Sequence, residues 1–424
     1  MENEEVLRVL VFHRPDTAAK AANRLAASFP KASSIFGDLI AAKSQGVSTS
    51  YIKEADSADA PLTFPNLGIT LGYAHKSLMK TLRENPAVSY VARAPSLGQI
   101  RPVRIAEARL TTNLTWGLEA LGVEQLWKQG LTGKGVAVGH LDTGVDATHP
   151  ALKGRVAEFA EWDFLGKKRP GAKPHDSDMH GTHTAGTICG GAVQGRAVGV
   201  APGATLCSGL VIEGGDVTAR ILGGLDWLVG LGVRVISMSL GFRGYDPVFT
   251  RLVDLLVSRD IVPVFAIGNE GPNTSRSPGN YSQSLAVGAV DPHSRTAVFS
   301  GSEHFDRKDD PDKPDCVAPG VQVISAKPGG GWQEMDGTSM ATPHVAGVVA
   351  LLLEAKPDAA SPAIRKAILD SAQDITGEPA LRHGRGMVRP LEALKLLTGV
   401  RTAVPASATA RPRRAVKSRH ARQA

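Results

Sequence analysis

Cysteine is scarce in this 424-residue chain: Cys189, Cys207 and Cys316 lie far apart, so they encode neither a disulfide framework nor a zinc ribbon, and at most one bridge could form. None sits in a motif suited to a nucleophile, and all three read as reduced, buried thiols. Aromatic residues are also few, 5% against 46 glycines and 42% hydrophobic residues, a balance that suits a tightly turned α/β core of Ala, Val and Leu. No membrane segment is expected, because the longest apolar stretch, after Ser339, is interrupted by Pro343, His344 and Glu354 and reads as a core helix. A secretory leader is missing too. Met1-Glu2-Asn3-Glu4-Glu5 is acidic and the first apolar run ends at His13, which points to a cytoplasmic protein or to export without a classical leader.

Acidic residues are missing from one place only. Arg401 to Ala424 holds seven Lys and Arg residues and no acid, whereas the rest of the chain has 41 basic against 41 acidic residues. The net charge of +7 therefore belongs to a Pro-, Ala-, Ser- and Arg-rich tail at 399–424, which reads as disordered and solvated. Contact of that tail with nucleic acid or another acidic partner is the sharper alternative.

Three segments carry chemistry. Gly135-Val136-Ala137-Val138-Gly139-His140-Leu141 reads as a buried parallel strand, placing Asp142 where the strand ends and Thr143-Gly144 turns. Open α/β sheets build their sites at such carboxyl ends, although an Asp before a turn also suits an Asx-turn. His180-Gly181-Thr182-His183 opens a stretch of small residues that lets a helix start pack against the sheet. His183 on nearly the same face suggests a metal pair, but the zinc-protease pattern His-Glu-x-x-His is not there. His140, His149 and His175 fit surface, turn or strand-end positions. Ser339 precedes Met340 to Leu353, an all-apolar helix with Pro343 in its first turns. Ser339 thus lies at a helix N-terminus, where free N–H groups favour negative charge, and a plain N-cap is the bland reading. A fourth strand, Val262 to Ile267, ends in Gly268-Asn269-Glu270-Gly271, and the Asn269 amide could donate to an oxyanion.

A hydroxyl needs a base within reach and a third group to orient that base before it attacks a carbonyl. The order Asp142, His180, Ser339, with Asn269, resembles that of the subtilisin-like serine proteases, or subtilases, from about Trp116 to about Leu397. The resemblance implies a serine endopeptidase with catalytic Asp142, His180 and Ser339, Asn269 as oxyanion donor, and no cofactor for catalysis. It implies that Ser239, Leu240 and Gly241 line the groove and pair with an extended peptide, and that Ala266, Ile267 and Gly268 form the opposite wall of the primary specificity pocket. Arg276, counted back from Ser277-Pro278-Gly279, falls near the pocket floor. There it either pairs with Glu270 and leaves the pocket neutral or favours acidic and polar groups. Many subtilases bind calcium. The Asp306–Asp315 carboxylates could hold it, yet they lack an EF-hand spacing and read as a solvated loop.

Alternating strands and helices beyond Trp116 predict a mainly parallel sheet with helices on both faces, a fold of the α/β subtilisin-like class. Expected helices run over Asp216–Val229 and Pro247–Ser258, and strands over Val233–Leu240, Ile261–Ile267 and Ser284–Val290. Before it, strands at Val6–Phe12, Leu67–Tyr73 and Ala87–Ala92, with helices at Asp16–Ser28 and His75–Arg83, predict a small α+β, ferredoxin-like domain. Its place resembles that of the family's propeptide, an aid to folding and then an intramolecular inhibitor of the groove. The expected divisions are 1–110, with a cleavable linker between about Pro95 and Asn113, then 111–398 and the tail. A permanently attached accessory domain is the alternative for the first. For the whole chain, an acyl-transfer ligase or cyclase using the same residues and a non-catalytic peptide-binding protein are the competing functions.

Overall fold

The computed structural model describes residues 6–14, 61–163, 165–213 and 216–399. The basic tail and the helix expected at Asp16–Ser28 lie outside the described residues. Near the N-terminus, β1 (Val6–His13), β2 (Leu62–Phe64), β3 (Ile69–His75) and β4 (Val88–Arg93) form an antiparallel sheet ordered β2-β3-β1-β4, the strand order of a split βαβ unit. The strand at Leu62–Phe64 is not among the expected ones, because three residues carry too little alternation to register. Strand periodicity sorts the side chains of β1. Leu7, Val9 and Val11 join Met79 and Leu82 of the helix Leu78–Glu84, while Leu10 and Phe12 face the main body.

The linker expected between Pro95 and Asn113 is partly strand. It contributes β5 (Gly98–Gln99) and β6 (Arg104–Ala108), whose partners come from the main body. That body is built on a seven-stranded parallel sheet of β7 (Ala137–Asp142), β8 (Val156–Glu161), β9 (Thr205–Leu210), β10 (Val235–Met238), β12 (Val262–Ala266), β14 (Leu285–Val290) and β17 (Cys316–Pro319). Their order is β17-β14-β12-β10-β7-β9-β8. Between them lie β11 (Leu240–Arg243), β13 (Arg276–Ser277) and the hairpin of β15 (Glu303–His304) with β16 (Asp312–Lys313); β18 (Val323–Ala326) and β19 (Trp332–Asp336) follow. The single strand expected over Val233–Leu240 is divided at Ser239 into β10 and β11.

Alternate residues of the parallel strands enter two cores. Val138, Val235 and Val264 pack with the helices His180–Cys189 and Thr338–Ala355. Leu141, Ile236 and Phe265 pack with the helices Val217–Leu231 and Thr250–Ser258, and with Phe12, Phe64 and Leu71 of the N-terminal sheet. The helix Thr338–Ala355 has the length and hydropathy of a membrane span, but 89% of it is buried inside the protein, as a core helix is.

The Asp306–Asp315 segment departs from the solvated loop expected of its composition. Lys313 is fully buried, 2.7 Å from both Asp310 and Asp315, and Arg365 lies 2.8 and 2.6 Å from the same two carboxylates. The carboxylates are thus committed to protein cations and do not fit a calcium site, and no group of three or more His, Cys, Asp or Glu placed to hold a metal ion occurs among the described residues. Removing one partner of such a pair strands a buried charge at a cost of about 3–5 kcal/mol.

Candidate active site

The strand order reverses at β7, so its carboxyl end opens onto the crevice between β9 and β10, and Asp142 is its last residue. Asp142 Oδ1 accepts the Thr143 amide at 2.7 Å and the His180 Nδ1–H at 2.6 Å. The contact depends on glycine. Gly144 stands at φ 110°, and a Cβ on Gly181 would lie 2.0 Å from the Gly144 carbonyl, so the helix bearing His180 can approach only without side chains there. Asp176 fixes the same corner by accepting from Thr143 Oγ1 at 2.7 Å and from the Thr182 amide at 2.7 Å.

Burial opposes charge on both partners, and the pair overcomes it. Asp142 is held below the usual carboxylate range by His180, His140 and the Thr143 amide. His180 is held above the ordinary imidazole value by Asp142 and, more weakly, Asp176 and Asp178. His183, three residues on, is driven by burial to about 3 and donates its Nε2–H to the carbonyls of Val323 and Gln333. It is a core histidine and no metal ligand.

Ser339 is the second residue of its helix, and Gly337 holds the N-cap position, so the plain N-cap reading of Ser339 does not apply. Pro343 has no N–H to offer the Ser339 carbonyl four residues back, and the Ser239 hydroxyl bonds that carbonyl at 3.2 Å. Asn269 Oδ1 accepts the Thr338 amide and hydroxyl, both at 2.9 Å, which turns its NH₂ group outward. Here the N-terminal linker enters. Ser339 Oγ donates to the Ile100 carbonyl at 2.6 Å, and Asn269 Nδ2 donates to the next carbonyl, Arg101, at 2.9 Å. His180 Nε2 is buried without a hydrogen-bond partner, so the hydroxyl is committed to the linker and not to the imidazole.

The linker lies as an extended strand on both sides of Ser339. Gln99 and Gly98 pair antiparallel with Leu240 and Gly241, and the Ile100 amide donates to Ser239 O at 3.1 Å. Beyond the serine, β6 pairs with β19. The Ile267 carbonyl accepts the Arg276 amide at 2.8 Å. The Arg276 side chain does not stand free: its guanidinium is bonded to Glu270, which Arg243 approaches at 3.5 Å. These contacts hold Glu270 below the usual carboxylate range against its burial.

Two residues near Asp142 escaped the sequence reading. His140 stands near the end of β7, one of the positions expected for it, but is buried there, and Thr184 carried no signal beyond its place in a small-residue helix. A histidine inside an apolar strand pattern was the one available cue. The three cysteines are buried and free, and burial pushes the Cys189 and Cys207 thiols up to about 12 and about 11, too high for a nucleophile.

Residues 133–388 match the model of the subtilase family. The chain is 34% identical to subtilisin E of Bacillus subtilis over 315 residues, covering 72% of this chain and 77% of that protein. It is 32% identical to a thermostable alkaline protease of Halalkalibacterium halodurans over 354 residues, 82% and 90% of the two chains. It is 35% identical to subtilisin of Bacillus pumilus over 286 residues, 65% and 97%. Acyl transfer to an amine and peptide binding without turnover find no support among these relatives. The chain belongs to the subtilase family and is a serine-type endopeptidase.

Proposed function

We propose that Ser339 attacks the peptide carbonyl while His180 Nε2 removes its proton, with Asp142 orienting the imidazole through Nδ1–H. The tetrahedral oxyanion is held by Asn269 Nδ2 and the first-turn amide of Ser339. His180 then returns the proton to the leaving amine, and water repeats the sequence to release the acyl group from Ser339. The observation that carries this reading is the polypeptide already in the groove, where the serine hydroxyl and the Asn269 amide grip consecutive carbonyls. Ser239, Leu240 and Gly241 serve as one wall of the substrate groove and Ala266, Ile267 and Gly268 as the other.

The first 110 residues act as an intramolecular inhibitor of the catalytic unit at 111–398. Support comes from the docking contacts: Asp226 Oδ1 accepts the amides of Asn66 and Leu67 at 2.7 and 3.1 Å, and Thr218 Oγ1 donates to the Pro95 carbonyl at 2.7 Å. Arg8 also pairs with Asp216. The bond cut on maturation is Ile100–Arg101, for which the Ile100 carbonyl must replace that of Arg101 at Asn269. The following bond is less suited, since its leaving nitrogen belongs to Pro102. Wild-type protein is expected to yield a product beginning at Arg101, whereas Ser339→Ala keeps its linker intact and loses turnover by about 10⁴-fold or more. Intact mass and N-terminal sequencing read both. Cleavage by the Ser339→Ala chain would overturn the assignment.

Because Arg276 is neutralised by Glu270 and its stem lies against Gly268, the primary pocket is shallow and uncharged at its floor. A peptide-library profile is expected to favour medium aliphatic residues, as at Ile100. Preference for large aromatic or acidic residues would remove this assignment.

A further inference from the structure

Two residues before Asp142, on the same face of β7, His140 stands in register with Ser208 of β9 and Ser237 of β10. All three are buried, a polar row across a sheet that is otherwise apolar at this depth. His140 Nδ1 lies 2.9 Å from Ser208 Oγ and Nε2 lies 2.9 Å from Thr184 Oγ1. Thr184, one turn beyond His180 on its helix, reaches Asp142 Oδ2 at 3.2 Å, and His140 Nε2 is 3.8 Å from the same oxygen. Among the described residues Oδ2 has no other hydrogen-bond donor, since His180 and Thr143 both serve Oδ1.

The Thr184 hydroxyl has one proton and several claimants: Asp142 Oδ2, the carbonyls of His180 and Gly181 at 3.2 and 3.1 Å, and His140 Nε2 if that nitrogen is bare. The tautomer of His140 decides among them. A proton on Nε2 is favoured by the carboxylate it faces, makes Thr184 an acceptor toward His140, and leaves the threonine proton for Asp142. Ser208 then donates to Nδ1, which satisfies every polar atom in the row that touches His140.

We propose that His140, acting through Thr184, is a positioning residue for the reaction: a neutral imidazole, protonated on Nε2, that fixes Asp142 Oδ2 and tempers the pull of Asp142 on His180. The need is electrostatic. Asp142, Asp176 and Asp178 all favour the protonated form of His180, whereas a general base must be free at working pH. Against His140 itself stand Asp142 and Asp176, which favour its cation, and His180, which disfavours it; burial outweighs them and keeps it neutral. His183 on the facing helix is neutral, and Ser208 and Ser237 carry no charge.

This inference rests on the roles given above to Asp142 and His180, and its test separates the two. In the intact Ser339→Ala chain, histidine-selective ¹⁵N NMR is expected to show His140 with Nε2 protonated, Nδ1 bare and no titration between pH 5 and 8. The opposite tautomer, or a ring that charges in that range, overturns the inference and leaves the triad untouched. In the active enzyme, His140→Leu and Thr184→Val are each expected to lower kcat by roughly 3- to 10-fold with KM within about two-fold. Both move the acid limb of kcat/KM to higher pH, because the unrestrained carboxylate raises the pKa of His180. The double variant loses no more than either single one, and Thr184→Ser restores the wild-type profile. A loss of kcat with an unmoved acid limb would mark His140 as packing alone and overturn the proposal.

Discussion

Asn269 shows how one side chain is aimed by its neighbours. Its oxygen is taken up by Thr338, so the amide hydrogens have one direction left, the one in which Arg101 O now sits. Replacing it with alanine removes a donor from the transition state, and it also leaves the Thr338 amide and hydroxyl without their acceptor. Asn269→Ala is expected to reduce kcat by about 10²–10³, the magnitude known for the oxyanion asparagine of subtilisin itself, with KM little changed. Steady-state kinetics on the mature enzyme decide it, and an effect confined to KM would move Asn269 out of the oxyanion role. At this scale Asp142, His180, Ser339 and Asn269 were nameable from the chain, because each stands in a short motif with small or turn-forming neighbours. His140 and Thr184 were not, because their partners come from separate strands and a helix, and nothing local marks the pairing. The hydroxyl of Ser339 was also unreadable in one respect: its present acceptor, Ile100, lies 239 residues away.

Among the elements, β7, β10, β12 and β14 of the parallel sheet were legible because apolar runs mark them, with boundaries a residue or two from the expected ones, whereas β8, β9 and β17 were not among the expected strands. Nor was the hairpin of β15 and β16. Its Asp and Lys residues read as solvent-facing until Arg365, from a later helix, and buried Lys313 supply and receive the charge. The linker strands β5 and β6 were likewise invisible, since a two-residue strand has no periodicity and exists through its partner. The helix of His180 lies against the turn after β7 with no room for a side chain at Gly181. Gly181→Ala puts a methyl group against the Gly144 carbonyl, so the helix start must shift. The expected cost is about 1–3 kcal/mol of stability and roughly 10²-fold in kcat/KM from a misplaced imidazole. Melting in the Ser339→Ala background and kinetics in the active one test this; wild-type values in both would show that the contact is slack.

For the whole molecule, the N-terminal sheet shares a core with the helices Val217–Leu231 and Thr250–Ser258, and its polar anchor is Asp226. Under the proposed inhibitory role, Asp226→Ala is expected to weaken retention of the cut N-terminal part by about 10- to 100-fold, as loss of hydrogen bonds to a charged group predicts. The measurement is peptidase activity of the processed protein across a dilution series, and an unchanged series would show that the anchor is dispensable. While Ile100 and Arg101 are joined, the blocking segment is tied to its own groove at an effective concentration on the order of millimolar, independent of how much protein is present. Severing that bond turns a first-order restraint into a bimolecular one. Activity would then answer to volume: crowded molecules silence one another, and those that drift apart wake.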